Sequence, residues 1–181
     1  MKTIKGRFIA LAVSLAILVS AASIASAQQR GEDARTANKV RKELVTLPYY
    51  GVFDNLAYKL DGDTVTLYGQ VVDAITRKDA ERRVKKIEGI ERVVNNIQVL
   101  PVSGFDNTIR VRTYRALTRA GSLYRYFQGA NPSIHIIVNR GHVTLEGVVS
   151  GKMDSQLAYM TARGISGVFS VTNNLRIESG S

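Results

Sequence analysis

From Ala37 onward the chain alternates between two hydrophobic periods. Ala37, Val40, Leu44 and Leu47 recur at helical spacing, with Lys39, Arg41, Lys42 and Glu43 on other faces, and Pro48 stops the run. Leu56 to Leu60 alternates apolar and less apolar residues, Asp61-Gly62-Asp63 supplies turn chemistry, and Thr64 to Val71 alternates again, which predicts a β-hairpin. Thr76 is suited to cap a second helix with Ala80, Val84 and Ile87 as its apolar stripe, ended by Gly89. A third strand is expected over Val93 to Val99, so the unit is α-β-β-α-β.

The pattern then repeats. VTLYGQV at 65–71 reappears as VTLEGVV at 143–149, an offset of 78 positions. The same offset pairs Ala80 with Ala158, Ile87 with Ile165, Gly89 with Gly167, Val93 with Val171, and Asn95-Asn96-Ile97 with Asn173-Asn174-Leu175. The second copy is expected to run as helix Ile109 to Ala120, strand Ser133 to Val138, strand His142 to Val149, helix Asp154 to Ile165 and strand Phe169 to Ile177. Its departure is about five extra residues after the first helix, in SLYRYFQGANPS. The expected fold class is α+β: two tandem α-β-β-α-β modules, each a three-stranded sheet with two helices packed on one face. Gly69 and Gly147 share the strand face of the core residues, which suggests a helix packed too close for a Cβ.

Residues 1–27 stand apart. Lys2, Lys5 and Arg7 precede an apolar run from Phe8 to Val19 and then Ala25-Ser26-Ala27, the anatomy of a cleaved secretory signal. The run is short of the roughly 20 residues a membrane span needs. No cysteine follows it for acylation, and the expected location is the periplasm, in soluble form without a lipid anchor. Removing this segment takes three of the ten net positive charges, leaving a strongly basic chain. Without cysteine, stability has to come from buried apolar area, and two modules of about 70 residues are each marginal in size. Residues 28–35, QQRGEDAR, lack apolar periodicity and are expected to be a flexible N-terminus. The expected layout is module 1 over 36–100, a linker over 101–107 and module 2 over 108–178.

A hairpin ending in DGDTVTLYGQV or NRGHVTLEGVV, a helix, and then GIERVVNNIQV or GVFSVTNNLRI resembles the BON domain, present twice and spanning roughly Ala37 to Ile177. The resemblance implies a non-enzymatic module of the bacterial cell envelope that associates with phospholipid surfaces, linked in several members to osmotic or envelope stress. It brings no catalytic residues and no cofactor. Gly69 and Gly147 match the family's hairpin glycine, a structural position, and Gly89 and Gly167 are read as structural too.

The residues agree with a non-catalytic reading. There are two histidines, His135 and His142, no cysteine, and no serine in a nucleophile elbow. Neither zinc spacing nor a closed calcium loop at Asp61 and Asp63 is present. His135 is read as solvent-side or hydrogen-bonded, and the paired asparagines as satisfying backbone at the strand mouth. Charge is the feature that stands out: no acidic residue falls between Asp106 and Glu146, while Arg110, Arg112, Arg115, Arg119, Arg125 and Arg140 do. Arg112, Arg115 and Arg119 share a helix face. They and Arg125 are the candidate anion-binding residues for a phospholipid membrane surface, with Tyr124, Tyr126 and Phe127 as candidate insertion residues. The alternative for those aromatics is core filling. The same arginines suit nucleic acid, but export argues against it; a protein-binding or chaperone-like envelope factor, using a groove between modules or a sheet edge, is the other reading.

Overall fold

The computed structural model describes residues 31–178; the signal segment expected at 1–27, and residues 28–30 and 179–181, lie outside them. Helix α1 covers 31–45 and is followed by β1 (Asn55–Asp61), β2 (Thr64–Val71), α2 (Ala74–Val84), β3 (Arg92–Asn95) and β4 (Gln98–Val99). Module 2 repeats the order: α3 (Gly104–Arg119), a 3-10 segment (Gly121–Phe127), β5 (Ile134–Asn139), β6 (His142–Val149), α4 (Lys152–Arg163) and β7 (Ser170–Ile177).

In each module the hairpin is antiparallel and the last strand lies parallel to the middle one, giving the orders β1-β2-β3 and β5-β6-β7. A parallel return needs a crossover, and α2 and α4 supply it. Val65, Leu67 and Val71 share one face of the first sheet and are buried under Val40 and Leu44 of α1 and Ala80 and Val84 of α2. Val143, Leu145 and Val149 are covered by Ile109 and Leu117 of α3 and Ala158 and Ala162 of α4. Both helices therefore sit on one face of each sheet. The two long β-hairpin strands expected at the offset of 78, β2 and β6, occupy equivalent places.

Four local expectations are corrected. Residues 31–35 are helical and exposed rather than irregular, since Glu32, Ala34 and Arg35 are good helix formers and extend α1 without needing a core. Helix α3 begins at Gly104, because the Ser103 side chain accepts from Asp106 N at 3.1 Å, so the connector shortens to residues 100–103. Asp73, not Thr76, caps α2, its carboxylate accepting from Ile75 N at 2.7 Å; Thr76 is buried inside the helix. Finally, the third strand of module 1 breaks between β3 and β4, whereas β7 runs unbroken, although the same side-chain bond recurs in both, Asn95 accepting from Ile97 N and Asn173 from Leu175 N.

The hairpin glycines are needed for a different reason from the one expected. Gly69 and Gly147 have φ of 117° and 124°, and a Cβ would collide with the carbonyls of Asn55 and Ser133 on the partner strand, not with a helix. In the second hairpin turn Arg140 also sits at positive φ, 51°, beside Gly141. That conformation is held by Asp106, whose buried carboxylate accepts from Arg140 N and Gly141 N, each at 2.8 Å.

The modules meet along β5. Ile136 N donates to Val52 O at 2.7 Å, and Val52 and Phe53 pack against the core of module 2, Phe53 edge-on to Tyr114 with centroids 6.2 Å apart. The connection 46–54 of module 1 thus covers the outer edge of β5, which is buried along almost its whole length.

Candidate functional site

Helix α3 divides its faces sharply. Ile109, Thr113 and Leu117 point into the core, and Arg110 follows them inward. Its guanidinium donates to Val138 O at 2.8 Å, and burial pushes its pKa down despite the nearby Asp106 and Asp54 carboxylates. Arg110 therefore leaves the surface cluster to which the acid-free interval assigned it. Arg112, Arg115 and Arg119 are exposed on the opposite side, and none of them forms a salt bridge among the described residues. Phe105 lies on the same face, seven residues before Arg112, and remains half-exposed while packing on Phe169 with centroids 5.9 Å apart.

The insertion segment resolves into three fates. Tyr124 is exposed. Tyr126 and Phe127 are each 7 % exposed and belong to the core, Phe127 packing edge-on to Tyr114 at 5.5 Å. Their assignment as insertion residues is corrected: the short 3-10 segment turns two of its aromatic rings under the sheet, and they are not available to an interface. Arg125 is exposed but committed. It donates to Asp154 at 2.6 Å and to the Tyr126 hydroxyl at 2.8 Å, and lies 4.9 Å from the Tyr126 ring centroid. Asp154 also accepts from Ser122 and from Tyr126 at 2.6 Å each; these bonds hold its carboxyl below the ordinary carboxylate range, Ser122 contributing most. The charge of Arg125 is thus offset locally by an acid that the sequence places 29 positions away.

The corresponding surface of module 1 differs in sign pattern. Around α1 and α2 the cations are interleaved with acids, with Arg82 paired to Asp79 at 2.7 Å and Arg83 to Glu43 at 3.5 Å. A one-signed helical surface belongs to module 2 alone.

The remaining sequence candidates are structural. Gly89 and Gly167 both adopt positive φ, 88° and 92°, in the turn after the helix of their module. Asn95 ties its strand to α2 through Arg77 O and Glu81, and Asn173 ties β7 to α4 through Ser155. His135 is buried, with Nδ1 3.2 Å from Gly51 O and Nε2 3.4 Å from the Tyr50 hydroxyl, so it is a joint residue between modules. Alternation along β5 puts it on the face opposite Ile134 and Ile136, but nothing local could show that module 1 covers that face. His142 is exposed and bonds Ser170 at 2.7 Å. Among the described residues no cluster of three His, Cys, Asp or Glu side chains is placed to hold a metal, and no helix is long and apolar enough to cross a membrane.

Comparison with known proteins gives one family. The BON domain model matches residues 32–101 and again 106–179. Among solved structures, CdsD, a structural protein of the Type III secretion system of Chlamydia trachomatis, is 9% identical, with a TM-score of 0.33 over 80% of this chain and 92% of that one. The C-terminal domain of the same protein is 10% identical, with a TM-score of 0.28 over 78% of this chain and 96% of that one. Likenesses as loose as these carry no functional argument. No curated protein matches. With the family matched over most of its length and both matches falling on the repeated fold, the chain belongs to the BON-domain family, non-catalytic binding modules of membrane and envelope association, and carries two of them in tandem.

Proposed function

We propose that the protein is a non-enzymatic envelope factor of the periplasm whose second module docks on anionic phospholipid, in the service of envelope integrity under osmotic or other stress. The observation that carries this reading is the exposed, unpaired row of Arg112, Arg115 and Arg119 on an acid-free face of α3, against the helices of module 1, where acids stand among the cations and two of those cations, Arg82 and Arg83, are ion-paired. Each basic side chain at an anionic leaflet contributes about 1 kcal/mol, so three give roughly a hundredfold enrichment at the surface. Guanidinium groups suit this task because their planar donors engage phosphate oxygens in pairs. Phe105, at the head of the same row, offers an aromatic ring at headgroup depth.

Flotation with vesicles tests it. The full chain without residues 1–27 is expected to float with vesicles containing phosphatidylglycerol and not with phosphatidylcholine alone, and to lose binding as salt shortens the Debye length to about 3 Å near 1 M. Equal flotation with both lipids, or none with either, contradicts the reading.

A second reading, recognition of an extended protein segment, rests on β7. It is an eight-residue strand paired only with β6 in its sheet, and an open edge of that length can accept another strand.

A further inference from the structure

Helix α4 carries an apolar face that the fold does not use. Ser155, Ala158 and Ala162 are its buried side, against β6 and β7. On the opposite side Met153, Leu157 and Met160 are 78%, 38% and 70% exposed. At about 100° per residue the three lie within about 60° of arc, directly away from the core. A core-facing helix of a soluble domain ordinarily turns polar residues outward; here the outward centre is apolar.

The charges around this stripe say what covers it. Lys152 and Arg163 are exposed at the two ends of α4. The one acid of the helix, Asp154, is held by Ser122, Arg125 and Tyr126. On the neighbouring α3 the one acid, Asp106, is buried in the turn of the second hairpin. The outer surface of the α3–α4 layer therefore presents cations and apolar side chains with no uncommitted carboxylate. A narrow apolar stripe within a rim of one positive sign is the pattern of a helix lying in the headgroup region of an anionic bilayer. Methionine side chains, unbranched and flexible, fit a disordered acyl boundary at little cost in packing specificity.

We infer that α4 is the inserting element of module 2, with Met153, Leu157 and Met160 entering the acyl boundary while the α3 arginines hold the headgroups. The inference rests on the phospholipid reading of α3 and adds depth of insertion to it. It also replaces Tyr126 and Phe127, which the core has taken, with side chains from a different helix.

The protein contains no tryptophan, so a single one is a clean probe of depth. Met160→Trp in the chain lacking residues 1–27 is expected to shift its emission to the blue on adding phosphatidylglycerol vesicles and to be quenched by brominated acyl chains. Tyr68→Trp, on the sheet of module 1, is expected to show neither. The triple variant Met153→Gln, Leu157→Gln, Met160→Gln is expected to keep its far-ultraviolet circular dichroism and its flotation at low salt. At intermediate salt, where attraction alone is weak, it should partition at least roughly tenfold less than wild type. If wild type floats with anionic vesicles but Met160→Trp is neither shifted nor quenched, or the glutamine variant partitions like wild type at every salt concentration, the insertion is overturned while the α3 reading stands. If wild type does not float at all, both fall.

Discussion

Arg125 donates to Asp154 across 2.6 Å, joining the 3-10 segment of module 2 to the first turn of α4. A cation that reads in the sequence as part of an acid-free surface is thus a bracket for the fold, and this pairing separates it from the unpaired arginines of α3. Asp154→Asn is expected to lower stability by about 1 kcal/mol through weakened bonds to Ser122, Arg125 and Tyr126. Because the folded state depresses this carboxyl, its contribution is present above the unfolded carboxylate pKa and fades as pH falls through the lower folded value. Thermal melts between pH 2 and 7, roughly spanning that range, should therefore show a steeper acid limb in wild type than in Asp154→Asn. Anionic vesicle binding at neutral pH should be little changed by Arg125→Gln.

Gly69→Ala and Gly147→Ala each force a side chain onto a partner-strand carbonyl at a φ that L residues avoid. The backbone strain alone costs about 1–3 kcal/mol, and the clash adds to it. Denaturant melts should show each variant strongly destabilised or unfolded on expression. Gly62→Ala, at φ 59° in open space, should cost less.

The joint between the modules is expected to respond to pH through His135. His135 faces the Tyr50 hydroxyl and Gly51 O, with its cross-strand partner Glu146 nearby, and burial lowers its pKa despite that carboxylate and the backbone groups of Gly51 and Asp54. Burial also pushes Tyr50 up to about 12, so it stays neutral throughout. A depressed histidine binds its proton more readily when unfolded, so its contribution is whole above about pH 6.5 and is lost as pH falls through the folded value. Hydrogen exchange of the amides in 50–54 and 134–138 is expected to speed up, after correction for intrinsic rates, as pH falls below about 6.5. His135→Gln should remove most of that pH dependence.

Much of the fold was legible because each module is built from local signals. The alternation in Thr64–Val71 and His142–Val149 matches the strands residue for residue, and the offset of 78 carried the topology of one module to the other. What was hidden depends on distant parts of the chain. The 29-residue reach of Asp154 to Arg125, the burial of Arg110 on Val138, and the covering of His135 by Gly51 involve side chains that no window of periodicity contains. The fate of Tyr126 and Phe127 was ambiguous for another reason: a seven-residue 3-10 segment has no amphipathic period to tell inward from outward. Of the candidate surface, the α3 arginine row was readable from spacing, and the apolar stripe on α4 was not, because exposed and buried apolar residues look alike until the core is known.

The most direct measurement is flotation with phosphatidylglycerol vesicles of two charge-reversed variants. One carries Arg112→Glu, Arg115→Glu and Arg119→Glu; the other carries Lys78→Glu, Lys85→Glu and Lys86→Glu on the exposed helical surface of module 1, with the same change in net charge. Surface changes away from buried partners rarely move stability by more than about 0.5 kcal/mol, so both should fold. The α3 reversal is expected to abolish flotation and the module 1 reversal to leave most of it. Equal loss in the two variants would show that overall charge, not a face of α3, attracts the membrane, and unchanged flotation in the first would contradict the account outright.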